Sequence, residues 1–175
     1  MASSVLVLDI NGVLAYVPRH SAYPKPTIKH DLVLPSSQKV YIRPCMEELI
    51  SFIKDRGCYI VLWTSRKRIN AKPIEDYLKS RYGLDASLYL HGEDCKETRD
   101  FHPLKDSVIL RKLLSSQLRS SKIIFVDDES FRIKGDSRTI RINAESFHPT
   151  DETSLEDEED KVYKLAQQIE IAFNQ

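Results

Sequence analysis

The sequence predicts a doubly wound α/β fold with a mostly parallel sheet. Apolar, β-rich runs recur along the chain, and helical patterns with clear starts and stops separate them. The runs are continuous rather than alternating, as strands covered on both faces are. Strands alternating with helices of about ten to fifteen residues imply β-α-β units and a sheet with helices on both sides.

The first strand is "SVLVLD" (4–9). Residues 15–42 interrupt the alternation, with Pro18, Pro24, Pro26 and Pro35 around the short extended pieces "DLVL" and "KVYIR", and are expected to form a hairpin-like flap. "RPCMEELISFIKDRG" (43–57) reads as a helix with Met46, Leu49, Ile50 and Ile53 on one face, Pro44 and two glutamates in its first turn, and a basic exit before Gly57. "CYIVLWT" (58–64) is the next strand, and "KPIEDYLKSRYG" (72–83) repeats the helix plan with proline at the start and glycine at the end. "ASLYLH" (86–91) is a short strand. "KDSVILRKLLSSQL" (105–118) aligns Leu110, Leu113, Leu114 and Leu118, so Lys105 opens a helix on this reading. "SKIIFVD" (121–127) and "RTIRIN" (138–143) complete the strands. The acidic run "TDETSLEDEED" (150–160) reads as a solvated loop and helix start before "EDKVYKLAQQIEIAF" (159–173). One domain over 1–175 is the expectation for a chain of 175 residues.

The 26 basic and 26 acidic residues cancel, so no global field recruits nucleic acid or an anionic membrane. Cys45, Cys58 and Cys95 are few, odd in number and far apart, which fits reduced thiols, two of them in the core, rather than a disulfide framework. No stretch matches a spanning helix or a signal peptide, and the expected location is the cytoplasm or nucleus.

In open α/β sheets, ligands bind beyond the carboxyl ends of the strands. Three apolar runs end there in reactive residues: Asp9; Thr64 and Ser65; Asp127 and Asp128. With Lys105, these would gather carboxylates, hydroxyls and an ammonium group in one crevice. Carboxylates sharing a cleft repel unless a cation neutralises them, and hard oxygen ligands point to Mg²⁺ with a phosphate as its companion. Taken singly, each residue has a plainer reading: Thr64 and Ser65 as turn caps, Lys105 as a surface lysine, Asp127-Asp128 as a strand-ending turn, Asn11-Gly12 as a hairpin signal. The hairpin reading leaves Asp9 unexplained, an unpaired charge in a buried run.

"LDINGVL", "LWTS", "LKDSVILRKL" and "FVDDES" resemble, in order and rough spacing, the four motifs of the haloacid dehalogenase superfamily. "VYIRPCMEELISFI" with "YIVLWTSRKRINAKPIEDYL" after it looks like its branch of RNA polymerase II C-terminal-domain phosphatases and NLI-interacting-factor-like proteins, over roughly residues 4 to 147 and the last helix. The resemblance implies a Rossmann-like fold without a large cap domain. It implies Asp9 as nucleophile, forming an aspartyl-phosphate, with Mg²⁺ held by Asp9, Asp128 and the carbonyl of Asn11. Asp127 would place the metal and Lys105; Thr64 and Ser65 would bond the phosphoryl group, and Lys105 would balance its charge. Gly12 would let the backbone turn beside the phosphate.

The departure is at position 11, where phosphatases of the superfamily generally carry an aspartate that acts as general acid and base. An amide orients a hydroxyl or water but exchanges no proton in that role, and such losses typically cost about 10² to 10⁴ in rate. Three explanations stand: a slow phosphatase, or one whose leaving group needs little protonation; a pseudophosphatase that binds phosphorylated partners without turnover; or an engineered substrate trap. The branch it resembles includes eukaryotic members with a native Asp-x-Asn-Gly, which favours natural variation.

His91, Cys95 and His102 match no zinc template. Arg66, with Lys67 and Arg68, could meet a phosphopeptide or another anionic substrate, or be solvated loop residues; the expected partner of the site is a phosphorylated protein or a small phosphomonoester. Trp63 and the tyrosines are expected in the core. No phosphate-binding glycine-rich loop occurs. A phosphatase and a phosphoprotein-binding module are therefore the competing readings; a response-regulator receiver ranks behind them, because its acidic pair belongs at the first strand and its lysine after the threonine.

Overall fold

The computed structural model describes residues 4–18, 26, 28–98, 102–150 and 154–175. In chain order the elements are β1 (Val5–Leu8), β2 (Ala15–Tyr16), β3 (Leu32–Val33), β4 (Lys39–Ile42), α1 (Met46–Asp55), β5 (Tyr59–Trp63), α2 (Arg68–Tyr82), β6 (Leu88–Leu90), β7 (Lys96–Glu97), β8 (Pro103–Asp106), α3 (Ser107–Leu113), β9 (Ile123–Asp127), β10 (Ile133–Lys134), β11 (Thr139–Asn143) and α4 (Leu155–Asn174). The central sheet has the order β11-β9-β1-β5-β6, with every pairing parallel. Val5 stands level with Tyr59 on one side and Ile123 on the other. The chain ends of β1 and β9 therefore lie side by side.

All four residues of β1 are buried because both faces are covered. Leu6 and Leu8 pack with Leu49 and Ile53 of α1, Ile74 and Leu78 of α2, and Leu165 and Ile169 of α4. Val5 and Val7 face the other way, against Trp63, Phe125, Leu110 and Leu114 beside α3. This is the doubly wound arrangement expected, and no large cap sits over the carboxyl ends of the strands among the described residues. The flap is a three-stranded sheet, β2-β4-β3, with antiparallel pairings, and its Val17, Leu34 and Val40 belong to the main core. Residues 19–25 and 27 of the expected flap, including Pro24, lie outside the described residues, as do 99–101 of the loop before Lys105 and 151–153 of the acidic run.

Several boundaries differ from the sequence reading. Lys105 does not open a helix; it lies in β8, paired with β10 and β7, and α3 starts after Asp106, whose Oδ1 accepts from Val108 N at 2.9 Å. That helix stops at Leu113, before the Ser115-Ser116 pair, short polar residues that compete for backbone hydrogen bonds. Pro44 precedes α1 instead of lying in its first turn, and α2 starts early enough to place Pro73 inside it. Glu93 supports that start, its carboxylate accepting from Arg68 N at 3.2 Å. The three cysteines are free and half-buried at the core edges, none of them fully buried. Trp63, Tyr16 and Tyr41 are buried as expected, whereas Tyr163 is exposed. No described helix is long and apolar enough to cross a membrane.

Candidate active site

Asp9 comes directly after the last residue of β1, and its backbone N–H donates to Val126 O at 2.9 Å, which ties it to β9. The chain then turns sharply: Leu14 N and Ala15 N both donate to Ile10 O at 2.9 Å, and Gly12 N donates to Ala15 O at 2.7 Å. Gly12 has φ +83, and a Cβ there would fall on the Asp128 carboxylate. Glycine is therefore demanded twice at this position, by conformation and by space.

Asp9, Asp127 and Asp128 each offer a carboxylate oxygen within 4.8 Å of the others, the one such His/Cys/Asp/Glu group among the described residues. Lys105 reaches between them, its Nζ 2.8 Å from Asp9 Oδ1 and 2.6 Å from Asp127 Oδ2. The contact with Asp9 is an ion pair outside hydrogen-bond alignment, so Asp9 Oδ1 is buried without a hydrogen bond. Asp127 Oδ1 accepts from Glu129 N at 2.8 Å. Asp128 Oδ2 accepts from Ser146 Oγ at 2.6 Å, and Ser146 Oγ lies 2.8 Å from His148 Nε2. Because the serine proton points to the carboxylate, His148 Nε2 is the donor in the second bond.

Burial pushes the Asp9 carboxyl up to about 7; Lys105 opposes the shift, and Asp127 and Asp128 add to it. Burial also works against the Lys105 ammonium, but Asp9 and Asp127 outweigh it and hold its pKa above the ordinary lysine value. Asp128 is raised chiefly by burial, with the Ser146 hydrogen bond opposing. Once ionised, the three carboxylates against one ammonium would leave two negative charges for a divalent cation to balance. All-oxygen donors suit Mg²⁺, so the residues present fit that ion.

Thr64, at the end of β5, is buried; its Oγ1 accepts from Arg66 N at 3.2 Å, which leaves its own proton to donate. Ser65 is exposed. Arg66 turns its guanidinium to the flap, donating to Gln38 Oε1 at 3.2 Å and Val17 O at 3.3 Å. Asn11 also holds the flap, its Oδ1 accepting from Val17 N at 2.9 Å. His91, Cys95 and His102 do not converge as metal ligands: His91 Nε2 lies 2.8 Å from Glu75 Oε1 in a buried pair, and Cys95 Sγ donates to His91 O at 3.6 Å.

Sequence reasoning missed the supports. Arg43 is buried, donates to Glu158 Oε2 at 3.0 Å and to Val13 O at 3.2 Å, and places its guanidinium carbon 5.9 Å from the Phe147 ring centroid. It thus clamps the turn after Asp9 to the last helix. Glu158 belongs to the acidic run read as solvated; the run's described residues are exposed except at this one buried carboxylate. Ser146 and His148 carried no motif, and their role appears only when β11 brings them to Asp128.

The sequence model of the NLI interacting factor-like phosphatases matches residues 4–172. No curated protein matches. Among solved structures, Fcp1, an essential RNA polymerase II CTD phosphatase, matches with a TM-score of 0.56 at 12% identity, over 95% of this chain and 50% of that one. A variant of the fission yeast RNA polymerase II CTD phosphatase Fcp1 bound to beryllium fluoride matches with a TM-score of 0.50 at 11% identity, over 95% and 51%. The chain spans about half the length of the solved chains it matches. At these identities the likeness is one of fold.

Proposed function

This chain belongs to the NLI interacting factor-like phosphatase family, and we propose that it is a Mg²⁺-dependent phosphatase working through an aspartyl-phosphate on Asp9. The substrate is a phosphoprotein or another phosphomonoester, and turnover is limited by Asn11. One observation carries the reading: the Lys105 ammonium lies 2.8 Å from Asp9 Oδ1, inside a cluster completed by Asp127 and Asp128. The reading takes residues 1–175 as one catalytic unit, acting in the cytoplasm or nucleus.

Asp9 attacks phosphorus as the bond to the leaving oxygen breaks, and that oxygen takes its proton from solvent because Asn11 has none to give. Water then attacks the phosphorus of the aspartyl-phosphate, releasing phosphate and the Asp9 carboxylate. Thr64 donates its hydroxyl proton to a phosphoryl oxygen, Ser65 stands at the rim, and Lys105 stabilises the charge that spreads over the transferring group. Mg²⁺, held by Asp9, Asp128 and the Asn11 carbonyl with Asp127 behind them, would supply electrostatic stabilisation of the same charge. Gly12 keeps the approach clear. Arg66 orders the flap at the substrate entrance, and from there it meets the residues flanking the phosphate.

Asn11 favours a second reading, a pseudophosphatase that binds phosphorylated partners and does not release phosphate. Hydrolysis of an aryl phosphate separates the two. The phosphatase reading expects Mg²⁺-dependent turnover that Asp9→Asn abolishes; no turnover, with retained binding of a phosphopeptide, supports the second.

A further inference from the structure

Apart from the buried Glu158, the acidic start of α4 has no part in the site, and it borders a groove of about 910 Å³ between α1 and α4. Apolar side chains make much of its wall: Phe52 from α1, and Val162, Tyr163 and Ile171 from α4. Tyr163 is 65% exposed and Ile171 59%, an unusual outlay of apolar surface on one helix face. Every charged residue lining the groove is a glutamate: Glu48, Glu159 and Glu170. Glu170 is occupied by Arg56, 2.8 Å away, whose guanidinium stacks 4.8 Å from the Phe52 ring centroid. Glu48 and Glu159 carry no ion pair among the described residues. They share one end of the groove, since the buried Arg43–Glu158 ion pair ties the start of α1 to the start of α4.

We propose that this groove docks an amphipathic helix of a partner protein, with apolar residues seated on Phe52, Tyr163 and Ile171 and lysines or arginines meeting Glu48 and Glu159. Two helices with a channel between them present the shape of a helix-in-groove site. The lining residues of α4 run from Glu159 to Ile171, about 18 Å at 1.5 Å per residue, or roughly three turns of a guest helix. Charge decides the occupant. A second copy of this chain packed face to face would set the same glutamates against each other, whereas a basic partner complements them. The proposal does not depend on catalysis.

The test uses the whole chain and a fluorescent synthetic peptide of about 15 residues, with leucines on one helical face and lysines clustered at one end. Anisotropy should show salt-sensitive binding. Reversing the peptide's lysines to glutamates should weaken it at least about tenfold, as should the double variant Glu48→Lys/Glu159→Lys and, separately, Tyr163→Asp. All three sites are exposed, so the fold should stand, which circular dichroism checks. Chemical shifts perturbed by the peptide should fall on α1 and α4. Equal binding of the charge-reversed peptide, unchanged binding by the variants, or shifts centred elsewhere would overturn the proposal. So would sedimentation showing a dimer that Tyr163→Asp dissolves.

Discussion

Asn11 Oδ1 accepts the backbone N–H of Val17 at 2.9 Å, so the amide that stands where the resemblance expects an acid–base aspartate is a strut of the flap. An aspartate could accept the same bond with one oxygen and exchange a proton with the other. Asn11→Asp should therefore keep the flap in place and raise turnover of an aryl phosphate about tenfold or more. Asn11→Ala should lower stability by about 1 kcal/mol in urea unfolding without raising turnover. An inactive protein that stays inactive with aspartate has lost more than its acid.

Gly12 tests the tightness of the same turn. With φ +83 and the Asp128 carboxylate where a Cβ would go, Gly12→Ala should cost about 1–3 kcal/mol in urea unfolding and abolish Mg²⁺ binding by titration calorimetry. Normal Mg²⁺ affinity in this variant would mean that Asp128 is not a ligand.

The metal-free protein should lose stability as pH rises. Asp9 titrates near 3.8 in an unfolded chain and at about 7 in the fold, so between these values the folded state holds its proton more tightly. The contribution is fully present below the lower value, declines as pH rises, and is gone above the upper one. Mg²⁺ needs the ionised carboxylate and should stabilise more at about pH 8 than at about pH 6. Thermal unfolding with chelator and with Mg²⁺ at both values checks the sign; greater Mg²⁺ stabilisation at the lower pH would contradict it.

Ser146 fixes Asp128 by a 2.6 Å hydrogen bond and is itself held by His148. Ser146→Ala should weaken Mg²⁺ about 10- to 100-fold, the usual consequence of losing a partner behind a metal ligand. Melting temperature in chelator should hardly move. Unchanged affinity would show that Asp128 is oriented without the serine.

The fold and the members of the candidate site are legible in the sequence for the same reason. Buried parallel strands show as apolar runs, and in this fold the residues just beyond the carboxyl end of such a run lie where ligands bind. Asp9, Thr64, Asp127 and Asp128 all sit there. Lys105 is readable as a member of the site but not as a strand residue, because "PLKD" is short and polar and becomes a strand only by pairing with β7 and β10. No local pattern forecasts that pairing. The Arg43–Glu158 clamp joins residues 115 positions apart, and nothing near either one announces the other. Arg66, next to the site in sequence, reads either as an anion contact or as a solvated loop residue; its donation to the flap is not legible, because the two-residue strand β2 is too short to register as a pattern.

Trapping the phosphorylated protein tests the central claim most directly. With Mg²⁺ and an aryl phosphate, rapid acid quench and mass spectrometry should find a phosphoryl adduct on Asp9, labile to hydroxylamine and absent from Asp9→Asn. The weak hydrolytic help expected from Asn11 should prolong its life, and Asn11→Asp should shorten it. Phosphate release that continues in Asp9→Asn, or an adduct on another residue, would contradict it.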